Sequence, residues 1–282
     1  MNLTSESWRP QLIALDVDGT TVGDDSVLSS RLGAKLREID ALGVPVVFAT
    51  GRSWFSTTLV TDQLGFDRGY CVCNNGAMVV GYPPTTVIRE LTFDISRIIE
   101  VVKDYPSTVV AVENFGRGYL VSGPVPESKV YELHGELDLT SVDEMVRRGA
   151  SRIIICDPEV SPEVFSARCS RLDLASYTHF FMGENWLEIA SKQATKVTGL
   201  TLVTGMLGVA PGDVLAIGDS DNDMGMLAWA GRGVAMANAL PEVKALADHV
   251  TGSLEDDGVL MELLRWFPDD AEGKTAPGGL VS

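Results

Sequence analysis

The sequence predicts an α/β protein, a Rossmann-like doubly wound parallel sheet interrupted by an inserted α+β module, and three observations carry that reading. Short apolar, β-branched runs alternate with segments of helical spacing at both ends of the 282-residue chain, as parallel strands joined by crossover helices do. The early runs end in polar clusters, and ligands of open parallel sheets sit beyond the carboxyl ends of the strands. Between about residues 87 and 181 the texture changes to scattered strand-like pieces rich in Gly, Pro and charge, after which the alternation resumes.

Leu12 to Leu15 reads as a buried strand running into Asp16 and Asp18. Ser29 is a good N-cap for a helix carrying Leu32, Leu36, Ile39 and Leu42 at helical spacing, with Gly43 as its stop. Val44 to Ala49 is the second strand and ends at Thr50-Gly51-Arg52; Tyr70 to Cys73 is the third and ends at Asn74-Asn75-Gly76. Tyr82-Pro83-Pro84 marks a break, since paired prolines cannot continue a central strand. Inside the insert, a helix over 94–105 and strands over 108–112, 152–156 and 176–181 are expected. After Trp186 come a helix from Thr195, a strand from Val214 to Ile217 ending in Gly218-Asp219, a short helix from Asn222, and a strand over 233–236. The expected division is therefore a first core segment 1–82, the insert 83–186, a second core segment 187–268, and a solvated, disordered tail 269–282.

Lys and Arg number 22 against 39 Asp and Glu, a formal charge of −17. That field repels nucleic acid and anionic lipid, so neither is expected as a partner. It also repels phosphorylated metabolites, so a phosphate site here must be made locally positive. No apolar run reaches membrane-spanning length and residues 1–11 lack a secretory apolar core. The four cysteines, Cys71, Cys73, Cys156 and Cys169, lack metal-ligand spacing and read as buried free thiols. The thiols point to a cytoplasmic protein; a monomer or weak homodimer is expected, on which the sequence says little.

Asp16 and Asp18, one residue apart after a strand, point the same way until Gly19 breaks the geometry. Such a pair suits covalent phosphoryl transfer, one carboxylate attacking phosphorus and the other serving as acid and base; a plain Asp-Gly turn is the other reading. Phosphate-monoester hydrolysis needs accelerations approaching about 10²¹, while acid–base help supplies about 10²–10⁴. A cation and several donors are therefore required. Gly218-Asp219-Ser220-Asp221-Asn222-Asp223 offers oxygen ligands suited to Mg²⁺, or equally an acidic helix cap. Thr50 and Gly51 can offer a hydroxyl and backbone N–H groups to a phosphate oxygen, with the Arg52 cation close behind. Lys192 and Lys196 are candidate phosphate-binding cations, although most such lysines are solvated surface charges.

Together these pieces resemble the haloacid dehalogenase superfamily of phosphatases, and within it the Cof-like subgroup with an inserted type IIB cap. The motifs stand in order: Asp16-Val17-Asp18-Gly19-Thr20, Thr50-Gly51-Arg52, a lysine, and Gly218 to Asp223. The resemblance implies that Asp16 is phosphorylated, that Asp18 is the acid/base and binds metal through its carbonyl, and that Thr50 and Lys196 hold the phosphoryl group. It further implies Mg²⁺ at Asp16, Asp18 and Asp219 with Asp223 in support, and Asn222 beside the phosphoryl group or lysine. Lys196 is preferred to Lys192 because it opens a helix, although Val197 stands where the family usually has Gly. Asn75-Gly76 matches a segment facing the active site at the cap junction. Glu113, Asn114 and Arg117 are cap candidates by polarity alone.

The implied activity is hydrolysis of a small phosphorylated metabolite, such as a sugar phosphate. A phosphomutase or phosphotransferase would share these motifs. A phospho-accepting signalling domain would lack the second aspartate and the large insert, and a non-catalytic relative would lack part of the polar set.

Overall fold

The computed structural model describes residues 8–125, 133–181 and 185–269. Strands β1 Leu12–Leu15, β2 Val46–Ala49, β3 Gly69–Cys73, β4 Met78–Tyr82 and β5 Thr86–Glu90 come first. Then follow β6 Val109–Asn114, β7 Gly118–Val121, β8 Glu136–Leu139, β9 Arg152–Cys156, β10 Tyr177–Phe181 and β11 Trp186–Ser191, and finally β12 Val214–Gly218, β13 Arg232–Ala235 and β14 His249–Val250. They form two sheets, an eight-stranded one in the order β14-β13-β12-β1-β2-β3-β4-β5 and a six-stranded one in the order β10-β11-β9-β6-β7-β8.

From β14 to β3 the neighbours of the larger sheet run parallel, and β4 and β5 extend it antiparallel. Every residue of β1 and β2 is buried, because helices cover both faces. Helix α1 Ser30–Ala41 begins at Ser29, whose Oγ accepts the Leu32 amide at 3.2 Å, and buries Leu32, Leu36 and Ile39. Helix α2 is Trp54–Thr61; in the insert α3 is Ser96–Val102, α4 Val142–Arg148 and α5 Pro162–Cys169. In the second core segment α6 is Lys196–Leu207, α7 Met224–Trp229, α8 Pro241–Leu246 and α9 Gly258–Trp266. Leu36 of α1, Val60 of α2 and Leu263 of α9 share one core with β1 and β2; Leu200 of α6, Leu227 of α7 and Val243 of α8 share another on the opposite face. Glu262 of α9, fully buried, accepts Arg232 Nε at 2.6 Å and Trp266 Nε1 at 3.0 Å, tying the last helix to β13.

The insert is an antiparallel sheet, with β8 added parallel, and α3, α4 and α5 pack on one of its faces. Strand membership corrects the expected boundaries at 82/83 and 186/187. Thr86–Glu90 pairs with β4 in the large sheet, and Trp186–Ser191 pairs with β9 and β10 in the small one. The chain thus passes between sheets near 91–95 and 192–195. The Pro83-Pro84 break is real but forms a hairpin turn, and the apolar β11, flanked on both sides, reads in sequence like any buried strand. Apart from Asp269, the expected tail 269–282 lies outside the described residues. All four cysteines are buried, and none of them forms a disulfide. Among the described residues no helix is long and apolar enough to cross a membrane.

Candidate active site

The parallel register sets β1 between β12 and β2, so Asp16, Thr50 and Asp219 leave neighbouring strand ends. Asp16 continues the ladder, donating its amide to Ile217 O at 3.0 Å. Its peptide oxygen accepts the Thr21 hydroxyl, which closes the loop after the strand. Gly19 adopts φ +73°, and a Cβ there would lie 2.5 Å from Asp219 Oδ2, so only glycine lets the two acidic loops meet.

Lys196 opens α6, whose N-cap is Thr195, and its side chain is almost fully buried. Nζ donates to Asp16 Oδ1 at 2.5 Å and to Asp223 Oδ1 at 2.6 Å. Burial works to lower the lysine, yet the two carboxylates hold it above its ordinary value. Burial pushes Asp16 up to about 8, with Lys196 opposing and Asp223 adding to the shift. A carboxyl so placed needs positive charge beside it to act as an anion. Lys192, the alternative lysine, is exposed and donates to Ala175 O at 2.6 Å in the insert.

Asp18 turns the other way. Its carboxylate, 58% exposed, is held by Arg52 through Nη2 at 2.5 Å and Nε at 3.0 Å, and Arg52 is braced by Ser26 Oγ at 2.8 Å. Thr50 is fully buried; its Oγ1 accepts the Arg52 amide at 3.0 Å and its carbonyl accepts the Asn75 amide at 2.9 Å. Asn75 Oδ1 in turn accepts Asn222 Nδ2 at 2.9 Å, joining the loops after β3 and β12. Gly51 lies against the Asn75 side chain, and Gly76, at φ +98°, presses on the carbonyl of Thr195. The structure therefore brings the predicted residues of the core to one end of the large sheet.

The cap candidates divide. Glu113 accepts Asn74 Nδ2 from the core, whereas Asn114 donates to Asp138 at 3.2 Å and Arg117 pairs with Glu136 at 2.6 Å, both within the insert. Polarity identified all three, but the β6–β7 turn aims only Glu113 inward. Four residues were missed. Thr20 donates to Asp219 Oδ1 at 3.1 Å, and Asn238 donates to Gly19 O at 2.8 Å and lies 3.4 Å from Asp219 Oδ2. Asn74 and Arg152 join the insert to the core. Asn238 had a readable signal, a polar residue just past an apolar strand; Arg152, at the start of one, had none.

Asp16, Asp219 and Asp223 can each bring one oxygen within 4.8 Å of the others. An all-oxygen donor set of this kind fits a hard divalent cation. Asp223 is fully buried, with Oδ2 accepting the amides of Asp219 at 3.1 Å and Ser220 at 3.0 Å, so it is already engaged as a support. The Asp18 carboxylate is not part of this cluster and is held instead by Arg52.

A doubly wound core with an acidic cluster, a buried lysine at the strand ends and an inserted lid-like sheet defines a phosphoryl-transfer hydrolase class. The chain belongs to the haloacid dehalogenase-like hydrolase family, whose sequence pattern it matches over residues 13–263. It is 28% identical to an HMP-PP phosphatase of Serratia proteamaculans, over 91% of this chain and 95% of the relative. It is also 28% identical to 5-amino-6-(5-phospho-D-ribitylamino)uracil phosphatase YitU of Bacillus subtilis, over 92% and 98%. The solved structure of TM0651 from Thermotoga maritima superposes with a TM-score of 0.79 at 25% identity, covering 92% of this chain and 97% of that one.

Proposed function

We propose that this protein is a Mg²⁺-dependent phosphatase that hydrolyses a small phosphorylated metabolite, with a sugar phosphate or related monoester as substrate, through a phosphoaspartate on Asp16. The observation that carries the reading is Lys196 Nζ bridging Asp16 and Asp223 beside Asp219. Phosphatase activity toward small organic phosphates is also what the names of the aligned relatives state of those proteins.

Asp16, the Asp18 carbonyl and Asp219 would hold the cation, with Asp223 fixing the loop. Bound there, it would neutralise charge on the transferring phosphoryl group. Lys196 and the Thr50 hydroxyl hold that group's oxygens while Asp16 attacks phosphorus and the leaving oxygen departs. Asp18 gives its proton to that oxygen and then takes one from the water that cleaves the phosphoaspartate. For this its carboxylate must swing from Arg52 toward the leaving oxygen, and Arg52 is then open to an anionic group of the substrate. The small sheet excludes bulk water while the phosphoaspartate forms.

Phosphate release from p-nitrophenyl phosphate and from a panel of sugar phosphates, with and without Mg²⁺, tests the reading. Asp16→Asn should abolish release; retained activity would reject the mechanism.

A further inference from the structure

Away from the aspartates, one face of the small sheet carries Glu113, Tyr119, Arg152 and Glu188. Glu113 pairs across β6–β7 with Tyr119, and the β6–β9 register, Val112 opposite Ile153, places Arg152 beside Glu113. Glu188 pairs with Ile154 on β11, so alternation puts it on the side of Arg152. All four polar side chains stand near the end where the chain crosses to the large sheet, since Phe93 bridges to Ala150 just before β9.

Two of them reach the core. Arg152 Nη1 donates to Gly51 O at 3.2 Å, while its other contacts, Glu188 Oε2 at 3.4 Å and the Tyr119 hydroxyl, hold the guanidinium in place. Glu113 Oε2 accepts Asn74 Nδ2. Gly51 and Asn74 lie on loops that are themselves joined, the Asn74 amide to Arg52 O and the Asn75 amide to Thr50 O, each at 2.9 Å.

We infer that Arg152 and Glu113 are positioning residues, through which the insert clamps the Gly51 and Asn74 loops and so fixes Thr50 for phosphoryl transfer. Thr50 touches neither of them; it receives its position through the amides of Arg52 and Asn75. A planar fork is required, because one nitrogen must meet a carbonyl while another stays on Tyr119, and a lysine ammonium on a flexible stem cannot do both. The clamp is incompletely satisfied, since Glu113 Oε1, Asn74 Oδ1 and Arg152 Nε have no hydrogen-bond partner. Each such buried group costs about 1–3 kcal/mol, which weakens the contact between the insert and the loops. Its effect on rate rests on the phosphatase reading; the clamp itself does not.

Amide hydrogen exchange at Arg52, Asn74 and Asn75, measured alongside turnover of p-nitrophenyl phosphate, tests it. Arg152→Met with Glu188→Gln removes both charges of the buried pair together. It should speed exchange at those three amides about tenfold, leave β6 and β9 protected, and lower kcat about tenfold or more with little change in KM. Asn74→Asp, which sets a second carboxylate against Glu113 from the core side, should free the same amides even if the first variant folds poorly. Arg152→Lys should recover part of the protection. Arg168→Met breaks a pair with Asp157 inside the insert and should leave the loops protected. Unchanged exchange in the folded Arg152→Met, Glu188→Gln protein, or equal release in Arg168→Met, would overturn the clamp. Loop release in an enzyme that frees no phosphate even as wild type would uphold the clamp and overturn the function it serves.

Discussion

Lys196 and Asp16, 180 positions apart in sequence, meet at 2.5 Å in a site where both are buried. The insert lies between them in the chain, yet the core's own elements bring them together. Asp16 is set by the β1–β12 register and Lys196 by the Thr195 capping box. The ion pair therefore joins the two halves of the core directly.

Lys196→Met should strip Asp16 and Asp223 of their shared cation. Removing one partner from a buried pair costs about 3–5 kcal/mol. Chemical denaturation should show that loss in metal-free buffer and a partial recovery on adding Mg²⁺, with turnover not restored.

Gly76→Ala should impair activity more than stability. The left-handed backbone costs an L-residue about 1–2 kcal/mol, and the new Cβ would lie 1.9 Å from Thr195 O, forcing the start of α6 away. Thermal melts would show the modest loss; steady-state kinetics would show the larger fall in kcat/KM as Lys196 leaves its partners.

Glu262→Ala separates stability from chemistry in the opposite sense. It leaves Arg232 beneath α9 without its carboxylate, a destabilisation of about 3–5 kcal/mol. Enzyme that remains folded at low temperature should keep its kcat, because Arg232 opens β13, at the end of the strand away from the aspartate cluster.

Stability should also depend on pH through Glu113. Burial raises its carboxyl above the ordinary value of about 4.3, despite Arg152 and the Asn74 hydrogen bond pulling it down and with Glu90 adding to the rise. A raised group binds its proton more tightly in the folded state, so its contribution is full below the unfolded value and is lost as pH rises through the folded one. Denaturant midpoints across that window should fall in the wild type and stay flatter in Glu113→Gln.

The parallel core was legible because its strands are short, apolar and followed by polar clusters, and each cluster became part of the site. Where the sequence misled, a local signal pointed the wrong way. The paired prolines looked like a domain edge but made a hairpin, and β11 resembled a core strand because burial on both faces looks alike in either sheet. Asn114 and Arg117 had the right chemistry but are held by Asp138 and Glu136, partners that only tertiary pairing reveals. Arg152 opens an apolar strand among isoleucines, so nothing in its neighbourhood marked it as a contact to Gly51.

Gly76 on Thr195 has one more consequence. The second crossing between the sheets, near 192–195, ends at the residue that caps the helix of Lys196, and Gly76 braces that residue from beneath. Any tilt of the insert must pull on this strap. The insert's last strand thus reaches the core one peptide from Lys196, so a few residues of backbone couple the smaller sheet to the ammonium that holds Asp16.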